Sequence, residues 1–210
     1  VPTGVGKEVV AQALHRASGR TGKFVAFNVC AFPETMFDVE LFGHTRGAFT
    51  GAHSDSSGLL AQADGGTAFF DEISALPINS QVKVLRAIEL REYRPLGARA
   101  HRRSDFRVVA ASNGDLRSLV ARGQFRADLL QRLAGMLITI PRLADRPADI
   151  RPLADLFLQE AIATLGRPVA LREDAISLLE EHPWPGNVRE LRMTMHRLVV
   201  LADSPCVGRG

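Results

Sequence analysis

The apolar residues in the first two thirds of the chain follow two alternating patterns, short continuous runs and helical spacing. Helical spacing predicts helices that begin after Gly6 and across residues 34–42 and 79–90. The continuous runs, rich in β-branched and aromatic residues, predict strands at 24–28, 67–71, 106–112 and 136–140. Because strands that alternate with helices form a parallel sheet covered by helices, this part is predicted to be an α/β domain.

The strand pattern stops at Pro141, and only helical patterns follow it. They cover residues 149–165, 173–181 and 187–202, after the segment PRLADRPADIRP, which is dense in proline and charge. Such a segment is typical of a connection between two folded parts. The predicted organisation is therefore an α/β subdomain over residues 1–145 and a small all-helical lid subdomain over residues 146–210.

Composition and charge set broad limits on function. The 210 residues are 46% hydrophobic, which allows a buried core, and 26 Lys and Arg against 23 Asp and Glu give a net charge of +3. So small an excess says little about nucleic-acid binding, because that interpretation needs a localised basic patch or a motif. Two distant cysteines indicate no disulfide framework, and no apolar run is long enough to cross a bilayer. We therefore expect a soluble cytoplasmic chain.

The glycines before the first predicted helix belong to TGVGKE, the end of a phosphate-binding loop pattern. Gly4 and Gly6 let backbone N–H groups curl around phosphate oxygens, and the following helix N-terminus favours the same anion. Lys7 is expected to reach the β- and γ-phosphates of a nucleotide. The pattern departs from the usual one at Val1, where glycine is expected, and at Glu8, where Ser or Thr commonly holds Mg²⁺. Taken alone, it also fits an ordinary glycine-rich turn.

Residue 1 stands almost directly before this loop, where a core strand is expected to come first. We therefore interpret the sequence as a piece of a larger protein.

Polar residues close two of the predicted strands. Asp71 and Glu72 follow the apolar run GGTAFF, where Asp71 can hold Mg²⁺ through water and Glu72 can polarise the water that attacks a γ-phosphate. Asn113 closes the next strand and can orient the same water. Each residue alone is also common as a solvated acid or turn former. Their order behind a glycine loop and a lysine favours a site for ATP and Mg²⁺.

A long loop rich in Gly, Ser, His and Thr is predicted over residues 43–58, and it contains GAFTGA. Phe49 and Thr50 stand at the centre of that sequence. A single loop aromatic commonly packs against its own domain, whereas an exposed one on a rigid scaffold indicates contact with a partner. The residues alone favour neither interpretation.

Four segments together resemble one known family over essentially the whole chain: ELFGHTRGAFTGA, GGTAFFDEI, FRADLLQRL and WPGNVREL. The chain is similar to the AAA+ ATPase domain of bacterial sigma-54-dependent transcriptional activators, the NtrC-like enhancer-binding proteins. GAFTGA is close to diagnostic of that family. The resemblance implies a P-loop AAA+ α/β subdomain with a helical lid, ATP and Mg²⁺ as cofactors, and the sigma-54 factor of RNA polymerase as partner.

The resemblance also bears on the two departures and on the loop. Glu8 is the usual family residue after the lysine, whereas Val1 replaces a family glycine. The loop residues implied to contact sigma-54 are Gly47, Ala48, Phe49, Thr50, Gly51 and Ala52.

Four further residues acquire implied roles from the resemblance. Asn28 matches the asparagine that links the catalytic glutamate to the loop. Arg126 and Arg132 match arginine fingers that act on the γ-phosphate of the neighbouring subunit, and Arg189 matches a lid arginine that senses nucleotide. A guanidinium fork suits phosphate oxygens, which supports these transfers. The alternatives are a surface salt bridge for each arginine and a strand-end hydrogen bond for Asn28.

Fingers that act between subunits imply a homo-oligomeric ring, for which a hexamer is expected. Two alternatives stay open. One is an AAA+ ATPase of another remodelling class, which GAFTGA argues against, and the other is a hydrolysis-deficient sigma-54-binding module, which only Val1 supports. No membrane partner is expected, and DNA is expected to be bound only through a separate domain outside this chain.

Overall fold

The computed structural model describes residues 3–204 and 206–208, so the predicted departure at Val1 lies outside the described residues. Contacts divide the described residues into two units. The first unit is residues 7–138, and the second combines residues 3–6 with the described residues from 139 onward.

The first unit alternates helices and strands. Its helices are α1 (Lys7–Ala17), α2 (Glu34–Phe42), α3 (Gly58–Gln62), α4 (Ile78–Leu90), α5 (Leu116–Ala121) and α6 (Ala127–Leu133). Its strands are β1 (Phe24–Asn28), β2 (Thr67–Asp71), β3 (Glu92–Tyr93), β4 (Arg102–Arg103) and β5 (Arg107–Ala110). The short strands β3 and β4 form an antiparallel hairpin apart from the main sheet.

The main sheet is parallel and has the order β1-β2-β5. Its register sets Asn28 opposite Asp71 and Phe70 opposite Ala110, so the three strands end at one edge. The central strand β2 is buried from Thr67 to Phe70, as its unbroken apolar run predicts for a strand covered on both faces. The residues that follow each strand are therefore gathered along the same edge.

Phenylalanine side chains fill much of the core of the first unit. Phe37, Phe42, Phe70 and Phe106 are each at most 2% exposed. The rings of Phe27 and Phe70 meet edge to face with centroids 4.3 Å apart, an arrangement that aromatic quadrupoles favour. Helix α4 buries Val84, Leu85 and Ile88, which recur at helical spacing, and so turns one face into the same core.

The segment 136–140, for which the apolar pattern predicts a strand, forms none in the structure, so that prediction was wrong. Met136 and Leu137 are 79% and 87% exposed. A strand needs a neighbouring strand to accept its ladder hydrogen bonds, and none of the described residues pairs with this segment. High β propensity alone was therefore insufficient.

The second unit is mainly helical. Its elements are α7 (Ile150–Leu165), β6 (Ala170–Leu171), α8 (Glu173–Glu181), α9 (Asn187–Leu201) and β7 (Cys206–Val207). Leu191, Met195 and Val199, spaced by four along α9, are fully buried and form its core with Ile150 and other residues of α7. The predicted class, a parallel α/β subdomain followed by a helical lid, is confirmed, and the lid also has a short parallel pair of β6 and β7.

Within residues 3–204 and 206–208, no helix has both the length and the apolar content needed to cross a membrane.

Candidate functional site

Four polar side chains meet at the carboxyl edge of the parallel sheet. Lys7 begins α1, Asp71 ends β2 and Glu72 follows it, and Asn113 lies three residues after β5. The Lys7 ammonium lies 3.2 Å from Glu72 Oε1 and 3.7 Å from Asp71 Oδ1, and it donates a hydrogen bond to Asn113 Oδ1. The Asn113 amide donates to Glu72 Oε1. Sequence order alone brought these residues into one prediction, and the fold of the first unit brings them into contact.

Glu72 has an unusual backbone conformation. Its φ of 57° lies in the left-handed region, which is uncommon for a residue with a side chain and concentrates at functional sites. Its N–H donates to Asp71 Oδ1 over 3.1 Å, and its side chain is 19% exposed. The turn therefore directs the carboxylate towards Lys7 and Asn113 instead of continuing the strand direction into solvent.

Asp71 and Glu72 are the residues here that suit a magnesium ion. Mg²⁺ prefers oxygen ligands and commonly takes one or two carboxylates, with phosphates and waters completing its shell. Among the described residues, no group of three or more His, Cys, Asp and Glu side chains is arranged to hold a metal ion alone. This donor set thus fits an ion that arrives with a nucleotide. Glu8 lies apart from the cluster and is exposed on α1, where it accepts from Gln12 at 3.4 Å.

Asn28 lies at the end of β1, directly opposite Asp71. Its Oδ1 accepts a hydrogen bond from the Cys30 N–H over 2.8 Å and caps the 3-10 turn Val29–Ala31. Within the described part of the chain, no hydrogen bond joins it to Glu72. The arrangement of the described residues therefore does not itself contain a link between Asn28 and Glu72, and the switch stays a prediction.

The start of α6 positions Arg126. The buried side chain of Gln81 accepts from the Arg126 N–H at 2.8 Å and donates to the Gln124 carbonyl at 3.0 Å. Arg126 pairs side-on with Asp128, through Nε to Oδ1 at 3.0 Å and Nη2 to Oδ2 at 2.7 Å. This hydrogen bond holds the pKa of Asp128 below its usual value. Arg132 is exposed near the end of α6.

Gln81 was missed in the sequence, because nothing local distinguishes a buried anchoring glutamine from a helix-surface one. Its contacts with Gln124 and Arg126 cross more than forty positions of the chain.

The glycines ahead of α1 belong to the second unit and contact α9. Gly4 has φ +73°, and a Cβ added there would come within 2.5 Å of the Gly186 carbonyl oxygen and 3.1 Å of Arg189 Cβ. Only glycine allows this approach. Gly6 also has a positive φ, of +100°, with nothing within 4 Å of an added Cβ. At position 6, glycine is thus required by the backbone conformation and not by a close neighbour.

Asn187 fastens residues 3–6 to α9 and was another residue missed in the sequence. It is 1% exposed, its Oδ1 accepts from the Leu143 N–H at 2.9 Å, and its Nδ2 donates to the Thr3 carbonyl at 3.0 Å. The motif WPGNVREL contains it, which is the signal that could have identified it. Arg189, two residues further on, lines a pocket of about 370 Å³ together with Thr3, Met193 and Arg197.

The loop that carries GAFTGA is a closed turn on the surface of the first unit. His44 and Ser56 exchange backbone hydrogen bonds of 3.0 and 2.8 Å at its base, and the Gly47 N–H donates to the Ala52 carbonyl at 2.9 Å. Ala52 is buried, whereas Phe49 is 37% exposed, with its ring 5.0 Å from that of His44. Phe49 thus rests partly on its own domain and still presents a large apolar surface to solvent.

The remaining predicted loop residues lie at the tip of this turn. Gly47 and Gly51 have φ of +80° and +100°, and Thr50 is exposed. Ala48 lies under the tip, where its N–H donates to the Thr45 carbonyl at 3.1 Å. The glycines permit the tight reversal that lifts Phe49 and Thr50 to the surface.

The parallel sheet with a polar cluster at its carboxyl edge, together with a helical lid, defines the AAA+ class of α/β folds. Two family models divide the chain between them: one described as the sigma-54 interaction domain matches residues 2–139, and one described as an AAA+ ATPase lid domain matches residues 144–209. The chain belongs to the sigma-54 interaction domain family of transcriptional activators.

Curated relatives share more than two fifths of their aligned residues with the chain. The DNA-binding transcriptional regulator NtrC of Rhizobium meliloti is 43% identical over 208 residues, which are 99% of this chain and 43% of NtrC. The Nif-specific regulatory protein of Azotobacter vinelandii is 44% identical over 208 residues, 99% of this chain and 40% of the relative. The chain thus spans less than half the length of these proteins.

Solved structures of NtrX from Brucella abortus have the same fold. One superimposes with a TM-score of 0.90 at 33% identity, covering 98% of this chain and 47% of NtrX. A second, described as a complex with ATP, has a TM-score of 0.85 at 33% identity and covers 97% of this chain and 47% of NtrX.

Proposed function

We propose that the chain is an ATP-hydrolysing motor domain that acts on closed complexes of sigma-54 RNA polymerase through its GAFTGA loop. The observation that carries the proposal is the contact of Lys7 with Glu72 and Asn113 at the carboxyl edge of the sheet. Membership of the sigma-54 interaction domain family supports the partner, and the ATP complex of NtrX supports the nucleotide.

ATP binding is proposed to rearrange the cluster around Lys7. Phosphate oxygens are stronger acceptors for an ammonium than one shared carboxylate oxygen, so the β- and γ-phosphates take Lys7 from Glu72. Glu72 is then free to accept a proton from water, while Asn113 keeps that water in line with the γ-phosphate. The glycine loop containing Gly4 and Gly6 supplies backbone N–H groups to the phosphates.

Mg²⁺ would neutralise charge that develops on the phosphate oxygens during hydrolysis. Asp71 is the residue proposed to hold the ion, through water. Glu8 is proposed to belong to the nucleotide site only through its place directly after the phosphate-loop lysine, with no contact to the ion.

Arginines are proposed to complete the reaction in a ring of identical chains, a hexamer being expected. Arg126 and Arg132 reach the γ-phosphate of the neighbouring subunit, and Arg189 senses nucleotide within its own subunit. Asp128 engages the Nε–Nη2 edge of Arg126, so its Nη1 end stays available for a phosphate oxygen. Arginine fingers contribute roughly 10³- to 10⁵-fold in other phosphoryl-transfer enzymes.

The loop is proposed to contact sigma-54 through Phe49 and Thr50. The Glu72 carboxylate is proposed to shift towards or away from Asn28 as the nucleotide state changes, and this exchange moves α2, which leads into the loop. The proposal also assigns the domain to the cytoplasm, where RNA polymerase works.

Phe49→Ala tests the coupling of the two activities. We expect ATP hydrolysis within about twofold of wild type, because Phe49 is an exposed residue of the surface loop and is not part of the cluster. We also expect loss of sigma-54 binding in the presence of a transition-state analogue of ATP. ATP turnover and co-sedimentation with sigma-54 measure the two effects.

Ile78→Ala is the matched control, since Ile78 is a similarly exposed apolar residue, at 44%, in the same unit. It should leave both activities unchanged. Hydrolysis without any sigma-54 binding by the wild-type chain would support an AAA+ ATPase of another class. Binding without hydrolysis would support the turnover-deficient module that Val1 suggested.

A further inference from the structure

A strongly basic hairpin projects from the first unit and has no part in the proposed ATP chemistry. It comprises residues 92–103, which include β3 and β4, and its four arginines and one glutamate give it a net charge of +3, equal to that of the whole chain. Arg94, Arg99 and Arg102 are exposed and have no ion-pair partner among the described residues. Arg103 is paired with Glu92 at 2.9 Å. This is the localised patch that the mild overall charge did not reveal.

Acidic residues around the hairpin are already engaged. Asp105 pairs with Arg20 at 2.7 Å and lies 3.8 Å from Arg91, and Asp64 accepts from the Asp105 N–H at 2.7 Å. Asp55 accepts from the Arg46 N–H at 2.7 Å. These carboxylates moderate the local field, but none of them forms an ion pair with the three free arginines of the hairpin.

The hairpin is fastened to the base of the GAFTGA loop. The Leu96 N–H donates to the Gly43 carbonyl at 2.9 Å, and the Thr45 N–H donates to the Leu96 carbonyl at 2.9 Å. A Cβ added at Gly97 would lie 2.8 Å from Ala48 Cβ and 2.7 Å from Thr45 Oγ1. Loop and hairpin therefore form one continuous surface, in which the arginines lie beside the loop that is proposed to contact sigma-54.

The chemistry of the hairpin suits phosphates better than a protein surface. Protein interfaces depend on exposed aromatic or aliphatic anchors, but Tyr93 and Pro95 are buried and Leu96 is half-buried against the loop. Apart from Gly97, Ala100 and His101, the exposed residues of the hairpin are arginines. A guanidinium forms two parallel hydrogen bonds with a phosphate. A sigma factor acts at promoter DNA, so duplex phosphates lie near a surface that contacts it.

We propose that the hairpin 92–103 binds the phosphate backbone of DNA, independently of sequence, while the GAFTGA loop beside it engages sigma-54. The position of the partner rests on the proposed function, but the DNA contact does not, because it depends only on the hairpin. Three arginines that each engage a phosphate release counterions, so binding must weaken steeply with salt.

The test is fluorescence anisotropy with the full chain and a labelled random-sequence duplex about three helical turns long. The triple variant Arg94→Ala, Arg99→Ala, Arg102→Ala should bind at least about tenfold more weakly at ~50 mM salt, and the slope of log affinity against log salt should fall by roughly 2 to 3. The control variant Arg86→Ala, Arg117→Ala, Arg122→Ala removes the same charge from three exposed arginines of the same unit. It should keep most of the affinity and the slope.

Two results would overturn the proposal. One is equal weakening of DNA binding by both triple variants, which would show only the effect of net charge. The other is DNA binding by the hairpin variant that equals the wild type. If that variant instead loses affinity for polyglutamate, a peptide probe for acidic proteins, while DNA binding stays unchanged, the arginines bind an acidic protein surface and the proposal is also overturned. ATP turnover measured on the same variants should be unchanged, so a failed motor function is distinguished from a failed DNA contact.

Discussion

At the scale of single residues, Glu72 combines strain, burial and two hydrogen-bonding partners. Its left-handed backbone is uncommon for a residue with a side chain, which indicates that the position of the carboxylate matters. Lys7, Asp71, Glu72 and Asn113 could be predicted together from their order, a glycine loop with a lysine followed by polar residues at the ends of two strands. The support of Arg126 by Gln81 could not, since it depends on how α4 packs against α6.

Replacing Glu72 by Gln should abolish catalysis without abolishing nucleotide binding. Glutamine keeps the shape and the contact with Asn113 but cannot accept a proton, so turnover should fall by about 10² to 10⁴. ATP turnover and the affinity for a fluorescent ATP analogue measure the two quantities. Glu8→Gln, which makes the same chemical change on the exposed face of α1, should leave turnover within about twofold. Equal losses of turnover in the two variants would contradict the role of Glu72 as the general base.

At the scale of elements, helices were better predicted than strands. The segments 34–42 and 173–181 agree with α2 and α8, because helical hydrogen bonds are local and an apolar face suffices to place them. The strand at 106–112 shortened to Arg107–Ala110, and the one at 136–140 did not form. Strand formation depends on a partner that the local sequence does not contain.

The contact between loop and hairpin gives an element-scale prediction. Gly97→Ala adds a methyl group against Ala48 and Thr45 at a residue with φ +75°, so it should separate hairpin from loop. We expect a loss of about 1 to 2 kcal/mol in the free energy of unfolding from the strained φ, and weaker sigma-54 binding from the displaced loop. Denaturant unfolding and co-sedimentation measure these effects.

Gly123→Ala provides the comparison for that variant. Gly123 has a similar φ of +69° but nothing within 4 Å of an added Cβ. It should show the conformational cost without the change in sigma-54 binding. If Gly123→Ala weakened sigma-54 binding as much as Gly97→Ala, the effect would belong to general destabilisation and not to the contact between hairpin and loop.

At the scale of the whole molecule, the proposed arginine fingers Arg126 and Arg132 mean that each active site is built from residues of two chains. Head-to-tail contacts between identical chains form a ring when the rotation between them closes. In the proposed ring, one chain would supply Glu72 and its neighbour would supply Arg126. The exposed position of Arg126 and Arg132 on α6 is compatible with this division, because neither is buried in its own unit. Turnover per subunit should therefore rise with protein concentration as rings assemble.

Mixing two inactive variants tests this division directly. Glu72→Gln and Arg126→Ala should each be inactive alone. In random mixed rings, a subunit with intact Glu72 beside a neighbour with intact Arg126 regains a complete site, and roughly a quarter of the wild-type turnover should return at equal proportions. A mixture of Glu72→Gln with Lys7→Ala should stay inactive, because both changes damage the site of the same subunit and no pairing completes one. Activity that fails to return in the first mixture, while both variants still assemble, would mean that Arg126 acts within its own chain.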